Sequence, residues 1–262
     1  MDKMAVLEAE NLAIGYGKDA SAITIAEGIN FTLNQGQFVL ILGCNGAGKS
    51  TLLRTLSAVQ EPLSGEVRVC EENVFETSPR ELAQRVSAVF TDKTMAGGLL
   101  VEEVVALGRY PYTGFFGRID AEDKEVIQSS LSLVGMAEKS KNYLSQLSDG
   151  ERQKVMIAKA LAQQTSLIIL DEPTAFLDLP SRIEILYLLK RLAREENKTI
   201  LLSTHDVEQS LSVADSLLLL KNGKLKFTTT ENAVEMGDIA TLFEERGVVF
   251  DKNTGRFIPK LK

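Results

Sequence analysis

The chain has 262 residues, enough for one large domain or a core with a small subdomain. At 44% hydrophobic and 25% charged it has the composition of an ordinary globular protein. Its net charge of −7 argues against a general nucleic-acid binder, which needs a basic face to meet phosphates. The two cysteines, Cys44 and Cys70, make no disulfide framework and point to a reducing compartment. The N-terminal stretch MDKMAVLEAE has no apolar segment of signal-peptide length, and no apolar run approaches the ~20 residues that cross a bilayer. A membrane role therefore requires docking on another chain.

Residues 4–33 alternate apolar and polar side chains, broken at Gly15, Gly17 and Gly28, and read as antiparallel strands. Phe38 to Leu42 is a short apolar run ending in a glycine-rich loop. Lys49 to Val59 then has helical spacing, with Leu52, Leu53, Leu56 and Val59 on one face. A short helix and the strand Val86 to Phe90 follow. From about 91 to 160 helical periodicity dominates, at Val101–Leu107, Ala121–Val134 and Gly150–Gln164, which reads as a helical insertion. Leu167–Leu170 and Thr199–Ser203 look like buried parallel strands flanking the helix Ser181–Glu196. Asp215–Leu220 and Lys224–Thr228 form an expected hairpin around Asn222-Gly223. The tail from Glu231 reads as one short helix and a small hairpin.

Four signals carry chemistry. GCNGAGKST, Gly43 to Thr51, fits the phosphate-loop pattern. Its members are Gly43, Cys44, Asn45, Gly46, Ala47, Gly48, Lys49, Ser50 and Thr51. Glycines let successive backbone N–H groups turn toward a phosphate, Lys49 reaches the β- and γ-phosphates, and the Ser50 hydroxyl suits Mg²⁺. LIILDEP, 167–173, is an apolar strand that delivers Asp171 toward Mg²⁺ and Glu172 toward an attacking water. His205, the only histidine, ends the strand after Asp171 in STHD. A lone histidine is more often structural. Parallel strands, however, present their carboxyl ends to one crevice, where His205 meets the γ-phosphate and the water held by Glu172. LSQLSDGERQK, 144–154, places Ser148 and Gly150 before a helix; by itself this is a cap with acidic residues in the first turn.

These signals in this order resemble the nucleotide-binding subunits of ABC transporters over about residues 4–230. GCNGAGKST looks like Walker A, LIILDEP like Walker B, and LSDGE, 23 residues before Asp171, like the LSGGQ signature. TAFLD at 174–178 looks like the D-loop with Asp178, His205 matches the switch histidine, and Tyr16 in IGYG matches the aromatic that stacks on adenine. The resemblance implies an α/β phosphate-loop NTPase core, largely parallel, with an antiparallel β subdomain and an inserted α-helical subdomain. It implies a division into 1–90, core with β subdomain; 91–160, helical signature subdomain; 161–230, second part of the core; and 231–262, C-terminal extension.

The implied reaction is Mg²⁺-dependent ATP hydrolysis by Glu172 and His205. Ser148, Gly150 and Asp178 meet the nucleotide of a second copy in a head-to-tail pair. Partners are ATP, that second copy, a polytopic permease at the cytoplasmic face of the inner membrane and, indirectly, a substrate-binding protein; nucleic acid is not among them. Two departures stand out. Thr91, followed by Asp92, occupies the position of the Q-loop glutamine, a metal contact. Asp149 and Glu151 replace a Gly and the Gln of the signature, and would repel a γ-phosphate unless they point away from it.

GRYPYTGFFGR, 108–118, gathers Tyr110, Tyr112, Phe115 and Phe116, as subdomain core or as an exposed groove for a permease helix. It resembles the ATPases of importers for ferric siderophores, haem and cobalamin. An exporter ATPase is the alternative within the family. A repair or translation ATPase would carry a long coiled coil or two phosphate loops, and a small-molecule kinase would lack the signature, D-loop and His205.

Overall fold

The computed structural model describes residues 4–17, 21–90, 98–114, 117–243, 247–252 and 254–260. Two long strands open the chain, β1 (Ala5–Tyr16) and β2 (Ile23–Asn34), paired antiparallel. They are followed by β3 (Phe38–Leu42), α1 (Lys49–Leu56), β4 (Ser64–Val69), β5 (Glu72–Asn73), α2 (Pro79–Leu82) and β6 (Val86–Val89). The helices α3 (Val101–Ala106), α4 (Ala121–Leu133) and α5 (Asp149–Ala162) come next. The chain then alternates through β7 (Leu167–Asp171), α6 (Leu179–Glu195), β8 (Thr199–Ser203), α7 (Val207–Leu211), β9 (Ser216–Lys221) and β10 (Lys224–Thr229). It closes with α8 (Thr230–Glu235), α9 (Asp238–Phe243), β11 (Val248–Asp251) and β12 (Arg256–Pro259).

The central sheet has the order β10-β9-β3-β8-β7-β6; β9 to β6 run parallel and β10 is an antiparallel edge. Every residue of β3 is buried, as an apolar run inside a sheet covered on both faces requires. Its side chains alternate between two cores. Phe38, Leu40 and Leu42 join Ile168, Leu170, Ile200 and Leu202 under the helical layer. Val39 and Ile41 join Leu52, Leu53 and Leu56 of α1 and the antiparallel sheet on the opposite face. This mixed, largely parallel core, with an antiparallel sheet and a helical layer, is the fold class expected from the motifs.

Two local expectations change, and the antiparallel sheet reaches beyond the strands of 4–33. The antiparallel sheet, order β2-β1-β4-β5, draws two strands from beyond the phosphate loop as well as those within 4–33. α1 stops at Leu56 and leaves Val59 64% exposed. There Ser57 caps the helix, its hydroxyl donating to Leu53 O at 2.9 Å, and Ala58 turns to φ +55°. The tail holds two short helices before its hairpin, not one. Thr91 and Asp92, and likewise Phe115 and Phe116, lie outside the described residues.

The helical layer is tied by Arg109, only 3% exposed. Its guanidinium donates to Asp123 Oδ1 at 2.7 Å, Ala162 O at 2.9 Å and Gln164 Oε1 at 2.6 Å, and lies 4.0 Å from the Tyr112 ring centroid. Within 108–118, then, Tyr112 turns inward, its hydroxyl on Gln163 O at 2.9 Å, while Tyr110 is 76% exposed. The stretch divides between core and surface.

Candidate functional site

The phosphate loop leaves the end of β3 and enters α1 with backbone geometry that glycine alone supplies. Gly48 has φ +104°, and a Cβ there would fall 2.4 Å from Ile25 Cγ2. A Cβ on Gly43 would lie 2.7 Å from Leu220 O, so β9 approaches the loop too closely for a side chain. Cys44 is half-buried, and Asn45 and Gly46 are exposed at the loop tip. Ala47 and Ser50 are half-buried, and Thr51 is buried on the first turn of α1.

Lys49 is 6% exposed and donates to Gly43 O at 2.9 Å and Cys44 O at 3.3 Å, folded back under its own loop. Burial lowers its pKa from the usual lysine value, against the opposing pull of Glu172 and Asp171, the two carboxylates whose field reaches it. The loop and both acidic residues therefore share one electrostatic neighbourhood.

The register of the parallel strands explains that neighbourhood. Asp171 pairs with Ser203, and Ser203 with Ile41, so β7, β8 and β3 end level with one another. The Ser203 hydroxyl donates to Asp171 Oδ1 at 2.5 Å. The Glu172 N–H is shared between Ser203 O at 3.1 Å and Ser203 Oγ at 3.0 Å. Glu172 adopts φ +50°, a left-handed conformation unusual for a side chain of its length, and its carboxylate meets the segment that follows β8. There Glu172 Oε1 is 2.5 Å from His205 Nε2. The imidazole is 48% exposed and the carboxylate 29% exposed, so both have access to solvent.

Tyr16 closes β1 beside the loop. Its hydroxyl shares a 2.7 Å hydrogen bond with Thr51 Oγ1, and the side chain is 49% exposed. It borders an open cleft of about 910 Å³ that Gln60, Glu61 and Pro62 also line. An aromatic face at a cleft next to a phosphate loop can stack on a purine.

Ser148, Gly150 and Asp178 form a separate group at the starts of α5 and α6. Ser148 caps α5: its hydroxyl accepts from Glu151 N at 3.3 Å, and the Glu151 carboxylate accepts from Ser148 N at 3.1 Å. Gly150 is buried, and a Cβ on it would lie 3.0 Å from Ser181 Oγ. Asp178 caps α6 by accepting from Ser181 N at 3.1 Å, and hydrogen bonds from the Ser181 hydroxyl and then its backbone N–H hold its carboxyl below the usual range. The two signature carboxylates are paired locally. Glu151 meets Lys139, which with the Ser148 hydrogen bonds lowers its pKa, and Asp149 meets Arg152 at 3.1 Å.

Sequence reading missed Asp206, which joins the D-loop to the histidine segment. Its carboxylate accepts from Thr174 Oγ1 at 3.0 Å and from Arg182 Nη1 at 2.7 Å, while Arg182 Nε donates to Leu177 O at 2.7 Å. The only clue was its place beside His205. Nothing local announces a pairing with a guanidinium 24 residues away.

Comparison with known proteins agrees with this architecture. The family model described as ABC transporter matches residues 26–175. The chain is 38% identical to the ferric enterobactin transport ATP-binding protein FepC of Escherichia coli, over 86% of this chain and 81% of the relative. It is also 38% identical to the iron(3+)-hydroxamate import ATP-binding protein FhuC of Bacillus subtilis, over 84% and 80%. Among solved structures, a metal-chelate type ABC transporter in an inward-facing conformation superposes with a TM-score of 0.79 at 31% identity, covering 92% of this chain and 89% of that one. A dimeric ATP-binding cassette in a post-hydrolysis state, bound to ADP and Pi, gives 0.72 at 27% identity, covering 86% and 98%. With its phosphate loop, level strand ends and Glu172–His205 pair, the chain belongs to the ABC transporter family of ATP-binding, ATP-hydrolysing proteins.

Proposed function

We propose that this chain powers an importer of ferric siderophores or related metal chelates, through ATP-driven closure of two copies on a polytopic permease. The reading of the site rests on one observation: the Glu172 carboxylate stands 2.5 Å from His205 Nε2 beside the phosphate loop and Asp171. The import reading is supported by relatives named for iron(3+)-hydroxamate and petrobactin import, beside one named for ferric enterobactin transport. No helix among the described residues is long and apolar enough to cross a membrane, so the membrane-spanning part of this reading belongs to the permease. The assembly sits peripherally at the cytoplasmic face, with a substrate-binding protein delivering cargo on the other side.

In this reading the loop amides and Lys49 grip the phosphates and Tyr16 stacks on adenine. The donor set Ser50 and Asp171 is all oxygen, as Mg²⁺ prefers, and the ion would neutralise phosphate charge when bound. Glu172 takes a proton from the attacking water while His205 orients it against the γ-phosphate. Ser148, Gly150 and Asp178, grouped where α5 meets α6, contact the nucleotide held by the opposite copy. The segment 91–160 serves as the signature subdomain. Glu151 and Asp149, held by Lys139 and Arg152, leave Ser148 and the α5 terminus to meet that nucleotide.

Glu172→Gln tests this directly. Turnover should fall by at least ~100-fold while ATP drives a stable dimer, because the binding groups remain and the base is gone. ATPase rate and size-exclusion chromatography measure the two effects; wild-type turnover would overturn the base assignment.

A further inference from the structure

We infer that α9, β11 and β12 of the C-terminal tail position His205 for its task, and that Glu208 is the positioning residue through which they act. The inference rests on the reading of His205 as the group that holds the attacking water.

α7 begins two residues after His205 and is five residues long. A helix that short has little stability of its own and takes its orientation from whatever covers it. The side chain of its N-cap residue, Asp206, makes no capping bond to it and instead directs its carboxylate at Thr174 and Arg182. One hold on it comes from the tail. Among the described residues β12 pairs with β11 alone, so amides on its other edge need acceptors outside the sheet. Glu208 Oε1 supplies one, accepting the Phe257 N–H at 2.7 Å.

Apolar contacts hold the tail itself together around Phe257. The Phe257 ring lies 5.1 Å from Phe243 of α9, edge-on, and 5.0 Å from Phe250 of β11. Phe250, Ile239 and Leu242 belong to the same buried cluster as Val207 of α7. The tail also reaches the phosphate loop. The Cys44 thiol donates to Leu242 O at 3.5 Å, and Lys221 Nζ, on the neighbouring β9, donates to Thr241 O at 2.5 Å. One segment thus abuts both the loop that would hold the phosphates and the short helix that follows His205. The imidazole, 48% exposed, is otherwise held by Glu172.

The test uses the full chain and its single histidine, whose imidazole gives one unambiguous NMR signal. Glu208→Ala should shift or broaden that signal in the nucleotide-free protein. It should lower kcat at least fivefold and leave ATP affinity within twofold. Glu208→Gln, whose amide oxygen accepts the same N–H, should restore both signal and kcat. An unmoved His205 signal in Glu208→Ala overturns the inference, as does equal damage in Glu208→Gln or a parallel loss of ATP affinity. A moved signal with wild-type kcat would leave the tail as the element that places His205 and would instead remove the histidine from the hydrolysis reading.

Discussion

At the scale of single residues, the site holds groups in conformations and environments that folding alone would not choose. Glu172 carries a left-handed backbone, a cost on the order of 1–3 kcal/mol, and Lys49 a desolvated ammonium. Because its folded-state pKa lies below the unfolded value, Lys49 opposes folding wherever it is charged in both states. That opposition fades as pH rises through the folded pKa toward the unfolded one. Lys49→Ala should therefore leave the melting temperature of the nucleotide-free protein unchanged or raised, while ATP affinity falls about tenfold or more, ~1.4 kcal/mol. Calorimetry and nucleotide titration read the two separately. A lowered melting temperature with intact ATP affinity would mean that Lys49 is a structural residue tying Gly43 and Cys44.

At the scale of elements, a buried ion pair braces the helical layer. Arg109 and Asp123 have side chains 4% and 7% exposed, and Arg109 also satisfies a carbonyl on α5. A Cβ on the neighbouring Gly108 would fall 2.3 Å from Lys159 O, so α5 has no room to move toward the pair and compensate. Arg109→Met should cost about 3–5 kcal/mol, since it strands a buried carboxylate, and should lower the midpoint of chemical denaturation accordingly.

The pH dependence of this pair follows from its carboxylate. Burial pushes the Asp123 carboxyl up, but hydrogen bonds from Arg109 and from Asp120 N outweigh it and hold the pKa below the usual aspartate value. The pair's contribution is thus complete above the unfolded aspartate pKa and lost as pH falls through the folded one. Arg109→Met should flatten that acid limb of the stability profile; an unchanged limb would show that other carboxylates dominate it.

At the scale of the whole molecule, the proposed grouping of Ser148, Gly150 and Asp178 predicts a function that exists only between copies. In a Glu172→Gln background, Ser148→Arg should abolish the ATP-driven dimer, because a bulky side chain would meet the opposite nucleotide. ATP binding to the monomer should remain within about twofold. Analytical ultracentrifugation with and without ATP checks this, and a persistent dimer would remove Ser148 from the interface. The capping box on α5 would also weaken, at a cost of about 1 kcal/mol, too little to unfold a domain of this size.

What the sequence determined by itself was local chemistry. A glycine pattern that fits a phosphate loop, an apolar run ending in Asp171 and Glu172, and an STHD strand exit are short-range signals, and strand periodicity made their common edge legible. Tertiary structure decided which distant groups meet. Asp206 found Arg182, Arg109 found Asp123, Tyr16 found Thr51, and Phe257 found Glu208. It also ended α1 before Val59 and split the 108–118 aromatics between inside and outside. The physical reason is that propensity and patterning act over a few residues, whereas a buried charge or an unpaired edge amide is satisfied by whatever the packed layers bring within about 3 Å.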